Sequence, residues 1–169
     1  MQNIPDIPGL RDQHALTSLE YFKGEKEVRG PRVLVIGAGR VGLEIAEKLG
    51  KKGYEVVATK RTDPIGSMME MITRKLLLMR LDKMSNVTLM PHTTVKNFSE
   101  GKVEMEQDGA PRSLKPFQTV ILSSGMNSAK GPDQEKKSVV SRIEIIGDAK
   151  QVQDIFSAIH SGYELARNI

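Results

Sequence analysis

The sequence predicts an α/β fold, a three-layer domain on a parallel sheet with a β-meander inserted into it. Three observations carry that prediction. Val33 to Ile36 form a short unbroken apolar run, which suits a strand buried on both faces. Gly37, Gly39 and Gly42 follow in the spacing G-x-G-x-x-G, and Val41, Ile45 and Leu49 then recur at helical spacing, with Glu44, Glu47 and Lys48 on the wetter side. From Asn86 to Pro116 the pattern changes to short strand-like runs broken by turn residues.

The elements follow in order. Met1 to Asp12 hold Pro5, Pro8 and Gly9 and read as an extended lead-in. His14 to Lys23 read as a short helix with Leu16, Leu19 and Phe22 on one face, and Gly24 to Pro31 as a charged connector. After the first strand, glycine turn and helix, Gly53 ends the helix and Glu55 to Thr59 read as the next strand. These parts compose the βαβ unit of a Rossmann-like dinucleotide fold. Thr62 to Gly66 is a loop. Ser67 to Lys83 is a helix candidate, with Ser67 as N-cap and Glu70 completing a capping box. Met68, Met71, Ile72, Leu76, Met79 and Leu81 are read as core rather than as a methionine-lined groove, since methionine is more often a core filler.

Val87 to Met90, Thr93 to Phe98, Val103 to Gln107 and Arg112 to Pro116 read as the strands of the meander, with Gly101 and Asp108-Gly109 at turns. Phe117 to Leu122 is another buried strand, ending in Ser123-Ser124-Gly125-Met126. Asn127 to Ser141 is polar and reads as a surface loop. Ile143 to Ile146 is expected to be the last strand. Gly147-Asp148 follows, then a helix with Val152, Ile155, Phe156, Ile159, Tyr163 and Ala166 on one face.

Composition narrows the function. The 169 residues suffice for one domain with a core of its own. A net charge of +4 suits an anionic ligand, but no dense basic tract with interleaved aromatics points to nucleic acid. The chain has no cysteine, which excludes disulfides, thiolate metal sites and a redox-active Cys pair and fits a cytoplasmic protein. No apolar segment is long enough to span a bilayer, and the N-terminal stretch does not read as a secretory signal.

In the glycine turn, Gly37 permits the reversal out of the strand. Gly39 lets a pyrophosphate approach the backbone, and Gly42 lets the helix lie close to the sheet. The unpaired N–H groups of the helix's first turn and its dipole favour the phosphates. At the end of the second strand, an acidic residue roughly 20 positions past the first glycine would hold the ribose hydroxyl of NAD. Lys60 and Arg61 stand there instead, and cations favour the 2′-phosphate of NADP. Both could also be plain surface charges with Asp63 taking the ribose, and Arg74 and Lys75 could assist or be solvated. Asp148 reads either as the N-cap of the last helix or as a site residue at the carboxyl end of a strand. His14, His92 and His160 are too scattered for a metal site, and no nucleophile or acid–base pair stands out, so no catalytic residue is assigned.

The chain resembles the C-terminal nucleotide-binding region of flavoprotein reductases that join an Old Yellow Enzyme-like FMN barrel to a FAD and NAD(P)H module, such as 2,4-dienoyl-CoA reductase and 2-enoate reductase. The matching stretches are Ile7-Pro-Gly9, V-L-V-I-G-A-G-R-V-G-L-E ending at Glu44, I-T-R-K-L-L-L-M-R-L from Ile72 to Leu81, I-I-G-D-A from Ile145 to Ala149, and the last helix from Asp154 to Arg167. The resemblance implies that Gly37, Ala38, Gly39, Arg40, Val41 and Gly42 hold the NAD(P)H pyrophosphate and that Glu44 lies near the nicotinamide. It implies that Ser124 and Gly125 flank the same dinucleotide, that Gly147 and Asp148 contact FAD in the full-length enzyme, and that Ile7 to Gly9 cross from the FAD half. Residues 1–30 are then a lead-in and linker, 31–141 the NAD(P)H-binding domain, and 142–169 a remnant of the FAD-binding domain. The FAD domain's own glycine fingerprint is absent, and so is the barrel, which needs at least about 200 residues. The implied function is delivery of hydride from NAD(P)H to a flavin for reduction of an enoyl or related small substrate, with the FAD and FMN-barrel domains as missing partners and little turnover by this chain alone. A nucleotide-sensing domain of a potassium channel or transporter, which shares V-I-G-A-G-R-V-G, is the alternative.

Overall fold

The computed structural model describes residues 2–128 and 143–168, in two compact units, Ile4–Ser124 and Met1–Asn3 with Gly125–Ile169. In the first unit the elements run β1 (Ala15–Thr17), α1 (Ser18–Lys23), β2 (Arg32–Ile36), α2 (Arg40–Lys51), β3 (Glu55–Thr59), α3 (Met71–Asp82), β4 (Val87–Met90), β5 (Thr93–Ser99), β6 (Lys102–Gln107), β7 (Ala110–Leu114) and β8 (Thr119–Leu122). Five strands form a parallel sheet in the order β1-β8-β2-β3-β4, and β5-β6-β7 form a separate antiparallel sheet.

Alternation along the central strands makes three layers of these parts. Val33 and Val35 of β2, Val56 and Ala58 of β3 and Ile121 of β8 share one core cluster with Leu43, Ile45, Ala46 and Leu49 of α2 and Leu77 and Leu81 of α3. Leu34, Val57, Val120 and Leu122, one step along the same strands, belong to a second cluster with Val95 and Phe98 of β5 and Val103 and Met105 of β6. Successive side chains of a strand point to opposite faces, so a sheet covered by helices on one side and by the meander on the other needs apolar residues at every position. Each fully buried aliphatic side chain contributes about 1.5–3 kcal/mol. The α/β three-layer reading is thus the observed architecture.

Several local expectations change. His14 to Lys23 is not one helix: β1 adds to the edge of the sheet beside β8, and α1 starts only at Ser18, where Thr17 and Glu20 close a reciprocal capping box. Val87 to Met90 is not part of the meander but the fourth strand of the parallel sheet, paired with β3. α3 starts at Met71, capped by Glu70 rather than Ser67. Of its apolar residues only Leu77 and Leu81 are buried, whereas Met71, Ile72, Leu76 and Met79 are exposed, as is Met68 before the helix. The Leu77–Leu81 pair and the Ile72–Leu76–Met79 stripe lie on different faces of one helix, and only one face can meet the sheet. Val41 is 40% exposed, although Gly42 and Leu43 beside it in the first turn of α2 are buried, while Ile45 and Leu49 are buried as expected.

In the second unit, Asn3 N–H donates to the Gly125 carbonyl at 3.0 Å, and Gln2 and Met126 form an antiparallel bridge. Residues 143–146 form no strand, contrary to expectation, and lead into a 3-10 turn at Gly147–Ala149. The turn packs on α4 (Ile155–Arg167) through a hydrogen bond from Gly147 N–H to Ser161 Oγ at 3.0 Å. Asp154 caps α4, its Oδ1 accepting from Ser157 N–H at 2.7 Å, and the Ser157 hydroxyl and N–H hold this carboxyl below the usual range. Ile155, Phe156, Ile159 and Tyr163 are exposed, and His160 stacks on Phe156. Most of the polar stretch read as a surface loop lies outside the described residues.

Candidate functional site

β2, β3 and β8 all end at the same edge of the parallel sheet, with β2 in the middle. The chain passes from β2 to β3 on one side, while β8 lies on the other, so the crevice beyond β2 is a topological switch point, where open α/β sheets take ligands. The turn out of β2 is tightly anchored. The N–H groups of Gly37 and Ala38 both donate to the Thr59 carbonyl at 2.9 Å, and Ser123 N–H donates to the Ile36 carbonyl at 2.8 Å.

The three glycines of the turn differ in what surrounds them. Gly37 has φ +109°, and a Cβ there would lie 2.2 Å from the Ser123 carbonyl oxygen. A Cβ on Gly42 would lie 1.9 Å from the Gly37 carbonyl oxygen. Both are demanded by the protein's own packing. Gly39 has an ordinary negative φ of −78°, and a Cβ there would meet nothing within 4 Å. The fold does not require glycine at this position, and a ligand lying against the backbone would.

Gly39 is the N-cap of α2 and supplies no side-chain cap. The first N–H groups of a helix have no intrahelical acceptor, and together with the dipole they make a binding place for an anion. Arg40 and Glu44, one turn apart, pair at 3.1 Å on the exposed side of this helix. Such an exposed pair adds little stability.

The cations after β3 are not alike. Lys60 Nζ turns inward along its own loop and donates to the Pro64 carbonyl at 2.9 Å and to Ser67 Oγ at 2.7 Å. Burial lowers its pKa first, nearby Arg74 lowers it further, and Asp63 opposes both. Arg74 Nε donates to the Ile65 carbonyl at 2.5 Å, and Asp63 Oδ1 accepts from Ile65 N–H at 3.2 Å. Gly66 N–H donates to the Ala38 carbonyl at 3.0 Å, tying the loop to the glycine turn. Arg61 is exposed, and its guanidinium makes no hydrogen bond or ion pair among the described residues.

Gly37 to Gly42, Lys60 and Arg61 thus gather at one edge of the sheet, with Ser124 just past the end of β8. Gly125, at φ +91°, belongs to the second unit, as do Gly147 and Asp148. Asp148 is not the N-cap of the last helix, which Asp154 caps, and residues 143–146 before it form no strand; its Oδ1 accepts from Gln153 N–H at 3.3 Å. Sequence reasoning passed over Thr59, Ser123 and Gly66, which shape the turn through backbone atoms that leave no side-chain signal. A surface cavity of about 550 Å³ between α3 and β4, lined by Leu78, Met79, Leu81, Val87 and Leu89 among others, shares no residue with this edge.

The parallel sheet, the glycine turn and the uncapped helix define a Rossmann-like domain of the dinucleotide-binding class. The family model described as pyridine nucleotide-disulphide oxidoreductase matches residues 1–158, and the chain belongs to that family of flavin-dependent oxidoreductases. It is 29% identical over 167 residues to the bilirubin reductase of Mediterraneibacter gnavus, covering 98% of this chain and 25% of that protein. It is 27% identical over 148 residues to the cinnamate reductase of Clostridium sporogenes, covering 86% of this chain and 22% of that protein. Among solved structures, a 2-naphthoyl-CoA reductase complex superposes with a TM-score of 0.77 at 22% identity, over 100% of this chain and 26% of the other, which shows a shared fold. The chain therefore spans about a quarter of the length of these relatives. Among the described residues, no helix is long and apolar enough to cross a membrane.

Proposed function

We propose that this chain is the NAD(P)H-binding module of a larger flavin-dependent oxidoreductase that reduces an enoyl or related small substrate. The observation that carries the reading is the contrast within the glycine turn. Gly37 and Gly42 are closed in by backbone, while Gly39 faces open space at an uncapped helix N-terminus. A diphosphate fits there against the N–H groups of Gly39 to Gly42. When bound, the nicotinamide supplies a hydride to a flavin held elsewhere in the larger protein. The residues of this chain hold and orient: the first turn of α2 neutralises the diphosphate, Glu44 stands one turn further along beside Arg40, and Ser124 follows the end of β8. Cations after β3, with no carboxylate at the strand's end, support NADP over NAD. Gly147 and Asp148 are assigned to the FAD side of the full-length enzyme. The relatives compared are reductases, which supports this reading over a channel or transporter sensor.

The test is a calorimetric titration with NADPH and NADH at two salt concentrations. Saturable binding is expected for both, tighter and more steeply salt-dependent for NADPH. Gly39→Val is expected to fold normally and to lose both, and absence of saturable binding to the unaltered chain overturns the reading.

A further inference from the structure

Resting on that reading, the loop after β3 bears on how the cofactor's ribose end would be selected. Its basic residues occupy different environments. The Lys60 ammonium, with three N–H bonds, uses two on the Pro64 carbonyl and Ser67 Oγ of the same loop. Arg74 reaches from α3 to the Ile65 carbonyl between them. The strap so held runs straight into Gly66, whose N–H is bonded to Ala38 inside the glycine turn. Lys60 is thereby connected to the pyrophosphate end of the site by a short run of hydrogen bonds, and its head group faces the loop. Arg61, next in sequence, carries a planar fork with all its donors free among the described residues. That fork matches the geometry of a phosphate monoester.

We propose a division of labour: Lys60 and Arg74 are positioning residues that hold residues 63–67 against the glycine turn, and Arg61 is the residue that recognises a 2′-phosphate. Side by side in the sequence, Lys60 and Arg61 read as an interchangeable pair of cations. In the structure they are engaged differently: Lys60 is bonded within its own loop, and the Arg61 guanidinium is bonded to nothing among the described residues. Loss of Lys60 frees the strap and disturbs the turn that every dinucleotide uses. Loss of Arg61 removes a contact that only the phosphorylated cofactor makes.

The experiment measures dissociation constants for NADPH and NADH, and for adenosine 2′,5′-bisphosphate against adenosine 5′-diphosphate, on four variants. Arg61→Ala is expected to weaken NADPH and the 2′,5′-bisphosphate about tenfold or more, leaving NADH and the 5′-diphosphate within about twofold. Lys60→Gln is expected to weaken NADPH and NADH by a common factor, so that their ratio stays as in the unaltered chain. Lys60→Arg restores both, because the donor returns, and Ser67→Ala reproduces part of the Lys60→Gln loss without touching a charge. Circular dichroism melts of each variant separate unfolding from loss of binding. A Lys60→Gln loss confined to the phosphorylated ligands, or an Arg61→Ala loss common to all, overturns the division of labour. An unaltered chain that binds both dinucleotides equally well also overturns it while leaving the function standing, whereas one that binds neither brings down both.

Discussion

α2 and α3 are each 12 residues long, belong to the same helical layer and are joined by an ion pair, Arg80 to Glu47 at 2.6 Å. They begin in opposite ways. α3 carries its own anion: the Glu70 carboxylate accepts from Ile72 N–H at 2.9 Å and Thr73 N–H at 2.8 Å, and those bonds hold its pKa below the usual carboxylate value. α2 starts at a glycine with no side chain to offer and open space beside it. The helices also differ along their length. α2 buries Leu43, Ile45, Ala46 and Leu49, whereas α3 buries two leucines and leaves Met71, Ile72, Leu76 and Met79 exposed. One helix is fixed by its own chain from end to end. The other is fixed everywhere except at its start, where no side chain of its own caps it.

The harshest way to break the comparison is inside the glycine turn. Gly42→Val forces carbon atoms into the place of the Gly37 carbonyl, already 1.9 Å from the position of a Cβ. Neither atom belongs to a flexible side chain, so α2 must leave the sheet, and a loss of about 3 kcal/mol or more is expected in urea denaturation. A Gly42→Val chain with unchanged stability would mean that the helix does not sit this close to the turn.

A milder test concerns the two faces of α3. Leu81 is 1% exposed within the core shared with α2, so Leu81→Ala is expected to cost about 2–5 kcal/mol. Leu76, five residues earlier and 51% exposed, is expected to tolerate the same change within about 0.5 kcal/mol. Equal losses at both positions would show that the exposed stripe is covered in solution.

The same two helices show what sequence can and cannot say. The β2–α2–β3 unit was legible because its signals are local: an apolar run, glycines at fixed spacing and a single apolar stripe. The cluster of Gly37 to Gly42, Lys60 and Arg61 at one sheet edge follows from that unit. α3 misled because its sequence is apolar almost all round, and counting apolar residues does not reveal which face meets the sheet. β1 is only Ala15–Thr17, too short for a periodic signal, and the placement of β4 depends on pairing with β3, a long-range fact. The separate fates of Lys60 and Arg61 depended on which carbonyls the loop presents, and residue type does not encode that.

The smallest effect compares how α1 and α3 begin. Thr17-Ser18-Leu19-Glu20 and Ser67-Met68-Met69-Glu70 spell the same helix-start pattern, but only the first closes as a box, with Glu20 Oε2 accepting from Thr17 N–H at 2.7 Å. In the second, Ser67 is engaged by Lys60 and Glu70 caps the helix by itself. The Lys26 ammonium and the Thr17 N–H lower the Glu20 pKa from 4.5 to about 2. A carboxyl depressed in the folded chain stabilises it fully above the unfolded value and loses that contribution as pH falls through the folded one. The gap in thermal midpoint between the unaltered chain and Glu20→Gln should therefore be widest near neutral pH, begin to narrow below 4.5 and fade toward 2. Ser67→Ala removes no helix cap and should show no such acid dependence. A gap for Glu20→Gln that stays constant or widens in acid would mean that the box at α1 is no more closed than the one at α3.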